Sequence, residues 1–530
     1  MKTTLASVLP LLACIAPSAA TLSARDIHMK HKRFGLKTAA IDDLDLVGNA
    51  TFDQNLDHSD SSKGTFEQRY WWDGSHYKPG GPVFVFNPGE SSADGMIGYL
   101  KNTTLPGRYA QEFNGAAIII ERRFLTTWDL KSRSLAYTFR LDRYWGKSVP
   151  FDELTAETLQ YLNLPNAMKD MTNFALNAKL EFCEEGDCNA NDVPWVLVGG
   201  SYSGALAAWT SQMEPGVFHA YHASSAVVEA IHDFWSYFTP IEQALPTNCS
   251  NDVKAVVQYV DYVFAEGDDD DIEELKAKFN LEDLNAMDFA DVLANPLSEW
   301  QSDQDVVLEF CDYIETYGGR SKAIVNNGAG VGLVAALDAY AAWINETAKC
   351  GSGGSGCNTW DDSIKWNTPD ELDDTRPWQW MLCNEPFGWY QVGPPTCDGS
   401  NIVSSQLRPE QYSRRCPLTF PETNGVVAGS VTGWTEEHLN IWTKGWDAPY
   451  KRVFFVNGEL DPWRSATLSS DYRPGGPANT TDAPVYIVKG GVHTPELFVD
   501  EEDPYTWPVV EAAIKQMGAW LDEWEKPKKS

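Results

Sequence analysis

The chain has 530 residues, 43% of them hydrophobic, and a formal net charge of −34. That is enough apolar material for a large core, in several folding units or in one unit carrying an insertion. A polyanion of this kind repels phosphate backbones and anionic lipid, so neither nucleic acid nor a membrane surface is expected as a partner.

Residues 1–20, MKTTLASVLPLLACIAPSAA, pass from a basic start through an apolar middle to small residues. This is the pattern of a secretory signal peptide cut after Ala20. The apolar stretch is short and broken by Pro10 and Pro17, which argues against a membrane anchor. TLSARDIHMKHKR (21–33) is polar, basic and ends in Lys32-Arg33, and reads as a propeptide removed after the dibasic pair. Without those 33 residues the net charge is near −38.

Three apolar runs follow: GGPVFVFNPG (80–89), GAAIIIE (115–121) and VPWVLVGG (193–200). Continuous apolar strands separated by helical segments predict a parallel sheet covered on both faces. Residues 153–182 are helical by composition and spacing, with Pro165 marking a break. After about residue 225 strand-like runs disappear, and 253–293 combines helical periodicity with many acids. The run Asp268 to Asp271 lacks the ligand spacing of a calcium loop and reads as a solvated helix start. Residues 225–370 are therefore expected to form a helical cap between two core segments, 45–224 and 371–525. Strands return in YKRVFFVNGELDPW (450–463) and APVYIVKGGVH (483–493), and a helix closes the chain.

Of the ten cysteines, Cys14 leaves with the signal. Cys183/Cys188 and Cys350/Cys357 close short loops and are the expected disulfides; Cys249, Cys311, Cys383, Cys397 and Cys416 cannot be paired from sequence. Five N-x-S/T sequons begin at Asn49, Asn102, Asn248, Asn345 and Asn479, as in a secreted glycoprotein.

The strand at 193–200 runs directly into Ser201 and then into helix-forming residues. Strand, glycines, serine and helix make a nucleophile elbow, usually written G-x-S-x-G. Here, in Gly199-Gly200-Ser201-Tyr202-Ser203-Gly204, the last glycine comes one place late. A serine needs a base, and on an α/β-hydrolase the acid and histidine follow later strands in the order Ser, Asp, His. Asp461 follows the strand at 450–463 and His493 the strand at 483–493, whereas His438 lies inside a predicted helix. Ser201, Asp461 and His493 are thus the expected catalytic triad. One oxyanion donor is the N–H of Tyr202; the other is expected at Gly89 or Glu90, after the first early strand.

These residues, with FDQNLDHSDSSKGTFEQRYWWDGSHYKPGGPVFVFNPGE (52–90), GGSYSGALAAW (199–209), WQWMLCNEPFGWYQ (378–391), GELDPW (458–463) and GGVH (490–493), resemble the serine peptidases typified by prolyl carboxypeptidase and dipeptidyl peptidase II. They look most like the fungal acid prolyl endopeptidases. The resemblance spans nearly the whole chain after residue 33. It implies an α/β-hydrolase core with a helical cap, cleavage after proline, no metal and no cofactor. It carries the triad onto the same three residues and places Trp463 beside the substrate proline. The family's contiguous E-H-R-Y-x-G block is interrupted: Glu121 is followed by RRFLTTWDLKSRSLAYTFRLD (122–142) before Arg143-Tyr144-Trp145-Gly146 resumes it. This segment is expected to be intron sequence carried in frame, the alternative being a genuine surface loop in place of a histidine.

The reading is a secreted, glycosylated serine peptidase acting on proline-containing peptides or proteins, as a monomer or homodimer, extracellular or in a vacuolar or lysosomal type of compartment. The rival readings are a lipase or esterase on the same fold, and a homologue impaired by the 122–142 segment.

Overall fold

The structure, a computed structural model, describes residues 47–89, 93, 96–121, 151, 153–183, 188–321, 328–348, 367–369, 375–395 and 402–526. The signal and propeptide segments, Glu90, the 122–142 segment, Cys350, Cys357 and Cys397 lie outside these residues.

Ten strands are described: β1 (Val47–Asn55), β2 (Thr65–Asp73), β3 (Val83–Asn87), β4 (Ala116–Ile120), β5 (Trp195–Gly200), β6 (Ala220–Ser224), β7 (Ile231–Asp233), β8 (Gly388–Tyr390), β9 (Val453–Gly458) and β10 (Val485–Val488). Eight form one sheet in the order β1-β2-β4-β3-β5-β6-β9-β10. β1, β2 and β4 pair antiparallel and all later pairs are parallel. That order, with a helix packed behind β5, defines an α/β-hydrolase core.

Period-two alternation explains how such apolar strands are covered on both sides. Val83, Val85, Ile118, Ile120, Trp195 and Leu197 enter one core cluster. Their neighbours Phe84, Phe86, Ala117, Ile119, Val196 and Val198 enter the other. Among the helices, α1 is Leu105–Glu112, α2 Leu164–Asn177 and α3 Tyr202–Met213. α2 starts where the sequence showed a break: Pro165 occupies its first turn and Asn163 caps it by accepting from the Asn166 N–H at 2.9 Å.

After β6 come α4 (Phe238–Ala244), α5 (Thr247–Glu266), α6 (Asp269–Lys278), α7 (Ala286–Ser298), α8 (Gln304–Thr316), α9 (Leu333–Thr347), α10 (Thr375–Asn384) and α11 (Glu436–Thr443). Asp268 caps α6 through a reciprocal bond with Asp271, as expected of the acidic run. α12 (Trp507–Asp522) closes the chain.

Residues 376–387 lie against the core, Trp380 donating to the Leu162 carbonyl and Phe387 stacking on Trp209, but they add no strand to the main sheet. Among the described residues, no strand of the main sheet lies between β6 and β9, so the interruption runs from 225 to about 452. Its later part binds the earlier helices: Asp261 of α5 accepts from Ser404 and Ser405, Asp288 of α7 from Gln411 and Arg414, and Asp291 from Arg415. It also holds the small parallel pair β7–β8, which sequence patterning did not reveal.

The Cys183–Cys188 disulfide is present as expected. Cys249–Cys311 ties α5 to α8, and Cys383–Cys416 ties α10 to the segment after it. Asn49, Asn102, Asn345 and Asn479 are exposed; Asn248 is half-buried with its amide donated to Glu315.

Candidate active site

β5 ends in two glycines because two neighbours come very close, the helix behind it at Gly199 and the loop carrying His493 at Gly200. A Cβ on Gly199 would lie 2.1 Å from the Ser203 carbonyl oxygen, and one on Gly204 would lie 2.5 Å from the Ser224 carbonyl oxygen of β6. The second contact explains the glycine one place late: the close approach falls at position 204, not 203. Ser203 braces the turn instead, its Oγ accepting from the Gly200 N–H at 2.9 Å and donating to the Gly200 carbonyl at 2.7 Å.

Ser201 sits at the apex with φ 60° and ψ −129°. Such a conformation costs roughly 1–3 kcal/mol for a residue with a Cβ and persists only where its surroundings enforce it. Here the Ser201 N–H is held by the Ser224 carbonyl at 2.8 Å. Tyr202 begins α3, so its N–H is one of the first-turn amides, which point toward the N-terminal end of a helix.

Asp461 follows β9 and is fully buried. Its Oδ1 caps the turn Pro462–Ala466 by accepting from the Trp463 N–H at 3.0 Å, and meets Nδ1 of His493 at 3.0 Å. A carboxylate at Nδ1 selects the tautomer protonated there and directs Nε2 as the basic nitrogen. The two loops are laced together: the Leu460 N–H donates to Gly491, the Glu459 N–H to Val488, and the Gly490 N–H to the Glu459 carboxylate.

The histidine loop also meets the elbow. A Cβ on Gly200 would lie 2.7 Å from Leu497 and 3.0 Å from Thr494, next to His493. The Thr494 N–H donates to Ser225 Oγ at 2.9 Å. Ser201, Ser225 and Thr494 all carry positive φ, so three non-glycine residues in the left-handed region converge on one edge of the sheet. Their loops follow β5, β6 and β10. His438 caps α11 with Thr435 and takes no part in the site.

Beside the imidazole stands an aromatic box. The Trp463 ring centroid lies 6.5 Å from that of His493, 5.7 Å from Phe234, 5.2 Å from Tyr237 and 6.0 Å from Trp389. Phe234, Tyr237 and Trp389 are buried, whereas Trp463 is half-buried. Trp463, expected at the substrate, is therefore placed against the imidazole. Gly89 lies behind the elbow, where a Cβ would be 3.0 Å from Ser203 Oγ, and its N–H is donated to Asn87 Oδ1 at 3.0 Å.

Sequence reasoning missed Ser203, Ser225, Phe234, Tyr237 and Gln301, which binds the Trp463 indole. Trp389 lay in a block already singled out by resemblance, but no role was read for it. Ser225 had one available signal, a serine pair at the end of β6; Gln301 had none.

The sheet order and this edge define a hydrolase of the α/β class, with a serine on its elbow. Residues 54–137 and 127–504 match the model of the family described as serine carboxypeptidase S28, and the chain belongs to that family and is a serine peptidase. It is 34% identical over 499 residues to the serine protease vicPb of Bipolaris victoriae, covering 90% of this chain and 89% of that one. It is 28% identical to a probable extracellular serine carboxypeptidase of Arthroderma benhamiae, over 81% of this chain and 59% of that protein. Among solved structures, the peroxisomal alpha-beta-hydrolase Lpx1 of Saccharomyces cerevisiae aligns over 91% of this chain and 92% of its own, with 11% identity and a TM-score of 0.32.

Proposed function

We propose that this serine peptidase cleaves on the carboxyl side of proline through Ser201, His493 and Asp461. One observation carries the reading: the short turn Asp461–Trp463 supplies both the carboxylate at His493 Nδ1 and the indole beside the same imidazole. A proline ring is compact, apolar and without an N–H, so it suits a flat aromatic wall that offers no acceptor to a backbone amide.

In this mechanism Ser201 Oγ attacks the proline carbonyl while His493 Nε2 takes the hydroxyl proton. The tetrahedral oxyanion is held by the Tyr202 N–H. The Gly89 N–H is committed to Asn87, which leaves Glu90 as the proposed second donor. His493 then returns the proton to the leaving amine, giving the acyl-enzyme. Water repeats the cycle and frees the new carboxyl group.

Secretion is proposed from residues 1–20, the disulfides and the sequons. The extracellular description of the Arthroderma relative agrees with it. The family match is made in two parts that overlap at residues 127–137, inside 122–142, which supports reading that segment as extra to the family pattern. A message lacking its codons supports the intron; a message containing them supports a loop.

The test is a fluorophosphonate probe together with a mass-spectrometric profile of cleaved peptides at two pH values. Labelling lost in Ser201→Ala, with cleavage after proline, supports the reading. Preference for acyl esters would favour a lipase or esterase. Absence of labelling in folded wild type would favour an impaired homologue.

A further inference from the structure

The wall beside His493 is held from outside the core. Helix α7 ends at Ser298 and is followed by a tight turn, Glu299–Gln301, on the inserted helical region. Two adjacent residues of that turn reach the loop carrying Asp461. The buried Trp300 donates its indole N–H to the Leu460 carbonyl at 3.0 Å, one residue before the acid. Gln301 Oε1 accepts from the Trp463 indole N–H at 2.7 Å, two residues after it. The same oxygen receives the Tyr237 hydroxyl at 3.3 Å. An indole nitrogen can only donate, so the Gln301 atom facing it is the amide oxygen. Burial, with Asp461 and Glu299 nearby, pushes the Tyr237 phenol well above its ordinary pKa and keeps it a donor.

One amide oxygen thus joins two rings of the box, Trp463 and Tyr237, which meet edge to face at 82°. Trp463 is the half-buried member, open on one side. Without its acceptor, the indole N–H gains a partner only by turning toward water, which takes the ring face out of register with the box. The bond that holds Asp461 against this turn uses the Trp463 backbone N–H and does not involve Gln301. Loss of the amide therefore acts on the wall rather than on the carboxylate–imidazole pair.

We infer that Gln301 is a positioning residue that fixes the tilt of Trp463, so that the inserted helical region sets the enzyme's selectivity for the residue before the scissile bond. The inference rests on the proline reading above and adds what controls it. Substrates whose P1 side chain needs a flat aromatic face depend on Gln301; those with a small P1 side chain do not.

The test compares kcat and KM for two peptides that differ only in proline or alanine at P1. In Gln301→Leu the proline-to-alanine ratio of kcat/KM falls about tenfold, mainly through KM for the proline peptide. Gln301→Glu keeps an acceptor and holds the ratio within about twofold of wild type. In a Trp463→Phe background, which has no indole N–H, Gln301→Leu adds less than about twofold. Should Gln301→Leu not accumulate as folded protein, Gln301→Met gives the same comparison. An unchanged ratio, an equal fall on both peptides, or full additivity with Trp463→Phe overturns the inference while the proline reading stands. A wild type that does not prefer proline overturns both.

Discussion

Replacing Gly204 by alanine tests whether the elbow works because helix and sheet touch there. The added Cβ would stand 2.5 Å from the Ser224 carbonyl oxygen, 3.2 Å from that of Gly199 and 3.3 Å from the Ala226 Cα, all of them backbone atoms. Relief to an ordinary 3.4 Å contact moves the start of α3 away from β6 by about 0.9 Å. Ser201 precedes α3 directly, while the end of β6 holds both the Ser201 N–H and, through Ser225, the residue after His493. One displacement therefore changes the position of the proposed nucleophile relative to its proposed base. Overpacking of this kind costs about 1–3 kcal/mol of stability. A misplacement near 1 Å at a reacting group costs roughly a hundredfold in kcat/KM. Thermal unfolding, the fluorophosphonate labelling rate and kcat/KM on a proline peptide measure the two effects separately. Gly216→Ala is the control: φ is +96° but nothing lies within 4 Å, so it carries backbone strain without the clash. Wild-type labelling and an unchanged unfolding temperature in Gly204→Ala would refute the reasoning.

Asp461→Asn should lower kcat by roughly 10⁴-fold, because an amide can present its NH₂ to Nδ1 and favour the wrong tautomer; steady-state kinetics check it, and a loss under tenfold would remove Asp461 from the proposed triad. Breaking Cys249–Cys311 with a double alanine variant should cost about 4 kcal/mol by loop-closure entropy, since the bond spans 62 residues. Urea unfolding reads that loss, and a midpoint equal to wild type contradicts it. Burial pushes the Glu385 carboxyl up to about 7, against the opposing hydrogen bonds from the Leu164 N–H and Asn384. Its folded pKa lies above the unfolded one, so the unfolded chain releases the proton first and stability falls as pH rises from about 4.5 to about 7. Glu385→Gln keeps an acceptor for Leu164 and should flatten that fall by about 3 kcal/mol; parallel wild-type and variant unfolding profiles across this window would show that Glu385 does not titrate there.

The strands legible in the sequence were those whose residues are apolar on both faces: β3, β4, β5, β9 and β10. β6 escaped notice because AYHAS carries a histidine at its centre. His222 is fully buried there, and its ring nitrogens meet Tyr109 at 3.0 Å and Glu496 at 2.9 Å, partners from distant parts of the chain. β1 and β2 form an antiparallel edge joined to β4 through β2, and the polar residues along both leave no continuous apolar run. The contacts of residues 404–415 escaped for a related reason: acids on α5 and α7 hold them, and hydrogen bonds and ion pairs across such separations leave no periodic trace.

The sequence alone determined the two-sided sheet, the glycine-serine elbow and the chain order Ser201, Asp461, His493. Each rests on local chemistry, namely strand apolarity, glycine at a close approach, and a polar residue directly after a strand. Tertiary structure decided the rest: that Asp461 meets Nδ1 of His493, that Ser225 holds Thr494, that Trp463 faces an aromatic box, and that Gln301 reaches it from the inserted helices. Those are contacts between single side chains on segments far apart in the chain. Their geometry exists only once the sheet has brought the segment ends to one edge.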